Sequence, residues 1–204
     1  MDRLCSRLTT VALISLWIML GGCGRSPASR FYVLSPLPES EKDMQVKTDK
    51  GCYAIGIGPI TLPDYTDRSE IVTRISPNKL SLGEFDRWAE PLVDGFPRIL
   101  MENLSSLLCA DPITLYPPTG PISIDYRVEV EVIRFDGTLG ESASLIARWT
   151  LFNEKKMRIL LTRRSNLSSS ATAGDYEALV SAQSQNIAAL SREIAEAFKT
   201  VIPK

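Results

Sequence analysis

The residue types that perform covalent or acid–base chemistry are thinly supplied in this chain. There is no histidine among its 204 residues, which removes the Ser-His and Cys-His nucleophile pairs and the usual zinc ligand. The cysteines stand far apart, at positions 5, 23, 52 and 109, without the close spacing of a metal site. Glu129 and Glu131 form a possible carboxylate pair, but alternate positions on the polar side of a strand are ordinarily solvated. Gly56-Ile57-Gly58 gives a G-x-G, yet Pro59 follows and the last glycine of a dinucleotide fingerprint is missing. That segment reads instead as a strand passing close to another backbone. No catalytic residue, metal or cofactor is expected.

The chemistry that remains belongs to the cysteines. Arg3 and Arg7 precede an apolar run from Leu8 to Leu20. That run is too short for the roughly 20 residues of a spanning helix and has the pattern of a secretory signal over residues 1–22. It ends Leu20-Gly21-Gly22-Cys23, which resembles a lipobox, where the thiol takes a diacylglyceryl group; Cys23 is therefore the expected lipidation site. Export would place Cys52 and Cys109 in an oxidising compartment. A disulfide between them is expected, since the first strand of the domain should begin near one and the first long helix end near the other. Two free buried thiols are the alternative.

Other singled-out residues offer contacts rather than chemistry. Asp64, Tyr65, Asp67 and Arg68 lie in a polar loop with an aromatic, and loops carry function more often than the elements they join. Arg87, Trp88 and Glu90 mix aromatic, cation and carboxylate in the way of a subunit or partner contact. Their structural alternative has Trp88 and Leu92 in the core and Arg87 paired to a carboxylate. Arg134-Phe135-Asp136-Gly137 reads as a turn, with Asp-Gly supplying the backbone angles. Lys155, Lys156, Arg158, Arg163 and Arg164 form a basic cluster that either blunts a strand edge or meets anionic head groups. With 23 basic and 24 acidic side chains and a formal net charge of −1, the chain lacks the basic excess of a nucleic-acid binder.

The elements that must position these residues follow from periodicity. Residues 23–50 read as a lipidated start and tether, with Phe31 to Leu34 extended and able to dock as an edge strand. A single domain is expected over 51–204. Strands are expected at Tyr53–Ile60 and around a Ser76-Pro77-Asn78 hairpin turn, with a short one at Ile113–Tyr116. Trp88, Leu92, Phe96, Ile99, Leu100, Leu104 and Leu107 recur at helical steps. They predict a helix over Phe85–Leu108, kinked or restarted at Gly95-Phe96-Pro97 because proline lacks the helical donor. Tyr126, Val128, Val130 and Val132 alternate with polar residues and open a meander that continues to Leu161. Leu179, Gln183, Ile187, Leu190, Ile194, Phe198 and Val201 mark a final long helix capped by Asp175. The expected fold class is α+β: an antiparallel sheet with two long helices packed on one face.

Several of these stretches together resemble a known family. Ile55-Gly56-Ile57-Gly58-Pro59, Leu62 to Arg68, Ile71-Val72-Thr73-Arg74, Glu84 to Leu92, Tyr126-Arg127-Val128 leading into Arg134-Phe135-Asp136-Gly137, and Ala182-Gln183-Ser184 before Leu190 to Ala195 are similar, in order and spacing, to the ABC-type transport auxiliary lipoproteins. The similarity spans about Phe31 to Phe198. It implies a non-enzymatic lipoprotein working beside MCE-domain proteins, which form rings or tubes carrying lipid between the two membranes. It further implies a homo-oligomer, anchored on the periplasmic face of the outer membrane, that receives the end of such a tube and supports membrane integrity. Gly24 agrees with outer-membrane delivery, since an aspartate there retains enterobacterial lipoproteins in the inner membrane. Asp94-Gly95-Phe96-Pro97 departs from the family, which usually continues a helix there. A monomeric lipid-binding carrier with an apolar cavity between sheet and helices is the alternative, and an enzyme ranks third.

Overall fold

The computed structural model describes residues 27–38 and 52–202. Cys23 and the signal-like residues 1–22 lie outside the described residues, as does most of the expected tether.

Among the described residues, eight strands and two long helices follow one another. They are β1 (Arg30–Tyr32), β2 (Tyr53–Thr61), β3 (Glu70–Ser76), β4 (Lys79–Trp88), α1 (Leu92–Leu107), β5 (Ala110–Leu115), β6 (Tyr126–Thr138), β7 (Ser142–Asn153), β8 (Arg158–Ser170) and α2 (Tyr176–Val201). The strands form two sheets, ordered β1-β4-β3 and β5-β2-β6-β7-β8. The fold is α+β, with both helices on one face of the larger sheet. The sheets are mixed, however, and not purely antiparallel: β2 runs parallel to both β5 and β6, and β1 parallel to β4. The parallel pairs arise because long excursions, α1 among them, separate these strands, and only a tight hairpin obliges neighbours to be antiparallel. Where the connections are short the expected meander forms, with β6, β7 and β8 paired antiparallel in sequence.

Alternation along β6 and β7 builds the core. Val128, Val130, Val132 and Phe135 face the helices beside Ala143, Leu145, Ala147, Trp149 and Leu151. Against them lie Phe96, Ile99, Leu100 and Leu104 of α1 and Leu179, Ile187, Leu190, Ile194 and Phe198 of α2, all buried. Phe96 and Phe135 meet edge to face at 5.5 Å, the arrangement the ring quadrupoles favour. Asp175 caps α2 by accepting the Ala178 amide at 2.8 Å.

Helix α1 differs from its expectation at its start, and it does not restart at Pro97. It starts at Leu92 and not at Phe85, because Phe85–Trp88 complete β4 and Pro91 stands at the N-cap position; a residue before proline is itself biased toward extended geometry. It then runs through Pro97 as one element. Proline leaves one helical carbonyl without its donor, that of Val93, a residue exposed to solvent. An added Cβ at Gly95 would lie 3.1 Å from a Glu90 carboxylate oxygen, the movable end of that side chain.

The region expected to be tether is partly structural. Leu34 and Leu37 are only 4% and 2% exposed and belong to the core. The Ser35 amide donates to Ser184 Oγ at 3.1 Å and the Leu37 amide to Asn103 Oδ1 at 2.7 Å. Residues 30–37 thus form a strap stitched to α1 and α2, and the domain begins well before residue 51. Cys52 and Cys109 are joined by a disulfide, which fixes the start of β2 to the end of α1.

Candidate functional site

Two of the singled-out segments come together. The loop after β2 and the junction of β4 with α1 face each other across a surface groove of about 660 Å³. Its walls include Leu62, Asp64, Asp67 and Arg68 on one side and Trp88, Glu90 and Val93 on the other. Pro63 shapes the first wall. Its carbonyl accepts the Thr66 amide at 2.8 Å and the Thr66 hydroxyl at 2.7 Å, closing a 3-10 turn over Asp64–Thr66. The Asp67 amide returns to the Asp64 carbonyl, and Arg68 Nε donates to the Tyr65 carbonyl at 3.0 Å. The backbone is therefore held while the side chains of Asp64, Asp67 and Arg68 stay exposed.

Not every expected contact residue is exposed. Trp88 is 6% exposed and packs into the core, leaving only the groove floor to its ring. Arg87 lies half-buried, 3.7 Å from Glu70, with its Nε lacking a hydrogen-bond partner. Glu90 is ion-paired to Arg98. Tyr65 turns inward: its hydroxyl donates to Asp136 at 3.0 Å and accepts the Phe135 amide at 3.0 Å. Burial pushes its phenol up to about 12. The groove thus leaves Asp64, Asp67, Arg68 and Val93 exposed over a floor of packed side chains. No group of three possible metal-ligating side chains occurs among the described residues.

The residue that organises this region is one the sequence reading placed in a turn. Asp136 and Gly137 lie inside β6, and the chain reverses later, at Gly140, with φ of 79°. A register shift between Val132 and Arg134 changes which residues face the helices, so Phe135 enters the core and Asp136 takes the other side. There its fully buried carboxylate receives Arg74 at 2.6 Å, Arg134 at 2.8 Å and the Tyr65 hydroxyl. Burial alone would raise this carboxyl, but hydrogen bonds from Arg74 and then Arg134 outweigh it and hold the group below its ordinary value. The network ties β3 and the groove loop to the large sheet. The signal in the sequence was faint: an aspartate flanked by Arg134 and Phe135 where a valine alternation breaks. Gly137 is required by packing, because a Cβ would sit 2.6 Å from Leu179 Cδ1.

A second buried carboxylate holds the strap. Arg30 grips Asp86 through two bonds of 2.7 and 2.8 Å, and the Tyr32 hydroxyl donates to it at 2.8 Å. The bonds from Arg30, aided by Tyr32 against the opposing effect of burial, lower the Asp86 carboxyl from its usual range. The basic cluster is not brought to one surface. Lys155 is ion-paired to Asp125, and Arg163 and Arg164, as strand neighbours in β8, project to opposite faces.

The surroundings of this fold among known proteins are consistent. The family described as "ABC-type transport auxiliary lipoprotein component" matches residues 32–195. The intermembrane transport lipoprotein PqiC of Escherichia coli strain K12 is 25% identical over 188 residues, covering 90% of this chain and 95% of that protein. PqiC of Shigella flexneri matches with the same identity and coverage. Among solved structures, a protein of Xanthomonas campestris superimposes with a TM-score of 0.66 over 84% of this chain and 96% of its own, at 14% identity, a likeness of fold alone. On the family match across most of its length, this chain belongs to the ABC-type transport auxiliary lipoproteins.

Proposed function

We propose that this protein is a lipid-anchored subunit on the periplasmic face of the outer membrane, attached through Cys23. It assembles with copies of itself and receives an MCE-domain protein of the same intermembrane lipid transport system, contributing to membrane integrity. The name of PqiC, an intermembrane transport lipoprotein, supports the process. The observation that carries the mode of action is the groove. Its loop is rigid in backbone yet presents Asp64, Asp67 and Arg68 outward beside an exposed Val93, which suits a protein surface better than a small substrate.

The carrier alternative requires a cavity between sheet and helices. That space is filled by Phe96, Phe135, Leu145 and Trp149, each at most 1% exposed, so assembly is favoured over carriage. The test is the solution mass, by light scattering, of the chain beginning at Pro27. A start at Lys50 would remove the core residues Leu34 and Leu37. A discrete mass of several subunits is expected, reduced by Asp67→Arg with Val93→Arg. A monomer at every concentration, with no retention by the MCE-domain protein, would overturn the proposal.

A further inference from the structure

Two large apolar side chains near the start of the domain point into solvent. Phe31 is 64% and Val33 51% exposed. Successive side chains of an extended segment alternate, so Tyr32 and Leu34 turn inward and Phe31 and Val33 are left outside, while Arg30, itself largely exposed, lies along the surface to Asp86. Single exposed apolar residues are ordinary. This pair differs because the strap beneath it is fixed. β1 pairs with β4, Asp86 holds Arg30 and Tyr32, and Leu34 and Leu37 are sunk in the core. The segment therefore cannot turn over to hide them.

Their place along the chain matters as much as their exposure. Seven Cα steps separate Cys23 from Arg30, at most about 25 Å when fully extended. With lipid on Cys23, as proposed above and on which this inference rests, they are the first large apolar side chains of the described domain after the anchor. The basic hairpin between β7 and β8 lies at the other end of the molecule. The Tyr32 ring is 6.4 Å from that of Tyr176, at the start of α2. Tyr126, which pairs with Asn153 beside that hairpin, meets Phe198 at 5.9 Å. Tyr176 and Phe198 are 22 residues apart on one helix, about 33 Å along its axis.

We infer that Phe31 and Val33 rest in the head-group region of the anchoring membrane and set the orientation of the domain on it. Apolar side chains on one side of a fixed segment enter that boundary layer readily. A lipid on a chain terminus leaves the domain's tilt unspecified; a second, rigid contact removes that freedom. The strap end then faces lipid and the β7–β8 hairpin points away, with exposed Met157 and Ile159 and the neighbouring Lys156 and Arg158 offered elsewhere than to the anchoring membrane. On composition alone that hairpin is the stronger candidate for anionic lipid, so the test must include it.

The experiment uses the lipidated full chain in vesicles of phosphatidylethanolamine and phosphatidylglycerol, prepared with and without brominated acyl chains. An environment-sensitive fluorophore is attached to Phe31→Cys, Val33→Cys or Met157→Cys, all exposed positions. Fluorophores at 31 and 33 are expected to shift to the blue and lose most of their emission in the brominated vesicles, while that at 157 emits equally in both. A lipidated chain unquenched at 31 and 33, or quenched more strongly at 157, overturns the inference and leaves the anchor standing. Intact mass without lipid on Cys23 removes the anchor and the inference together.

Discussion

Asp136 ties the loop wall of the groove to the large sheet, because its buried carboxylate answers three donors at once. Two of those donors are guanidinium groups, Arg74 and Arg134. Removing one partner of a buried pair leaves an uncompensated charge, at about 3–5 kcal/mol. Asp136→Ala is therefore expected to lower unfolding stability by that amount in denaturant titration. Asp136→Asn keeps the shape and part of the hydrogen bonding, and should cost less. Asp136→Ala also removes the acceptor of the Tyr65 hydroxyl, so the groove loop should exchange its amide hydrogens faster than it does in the parent. Equal stability of Asp136→Ala and the parent would mean that the network does not hold the loop.

At the scale of elements, the fold is secured by ties between segments distant in sequence. The disulfide closes a separation of 57 residues, from the start of β2 to the end of α1. In the chain-entropy account such a loop contributes about 4 kcal/mol. Cys52→Ser with Cys109→Ser is expected to lower stability by about 2–4 kcal/mol, read by denaturant midpoint, with the same sheet content by circular dichroism. The strap is the second tie. Its bonds to Asn103 and Ser184 explain why polar residues sit on otherwise apolar helix faces: they accept backbone amides of an extended chain crossing the helices. A buried polar group is stable there only because each has such a partner.

For the whole molecule, the two buried aspartates give a common response to acid. Asp86 and Asp136 both have lowered folded values, against an ordinary carboxylate near 3.9. Their contribution is complete above that ordinary value and is lost as the pH falls through the lower folded values. Stability should therefore stay near its neutral level down to about pH 4 and fall below it, with Asp136→Asn showing a shallower fall. A steep loss between pH 7 and 5 would point to groups other than these. Acid loosens the strap and the groove loop together, the two parts proposed to meet membrane and partner.

The sequence by itself determined whatever depends on short-range pattern. The period of 3.6 in α2, the period of 2 in β6 and β7, the Ser76-Pro77-Asn78 hairpin and the Asp175 cap could all be read locally, because each is fixed by neighbours within a few residues. The order and spacing of several such motifs also made the family legible. Tertiary structure decided the rest. The parallel pairing of β2 with β5 and β6, and the docking of Leu34 and Leu37, depend on contacts between distant segments, which composition near those residues does not encode. Asp136 shows the same limit in one residue: Asp-Gly has the chemistry of a turn, and only the arrival of Arg74 from another sheet makes it a buried charge. Tyr65 moved from an exposed loop to the interior for a like reason, and of the two readings open for Trp88 the structure chose the core, since an aromatic side chain gains most where other elements close over it.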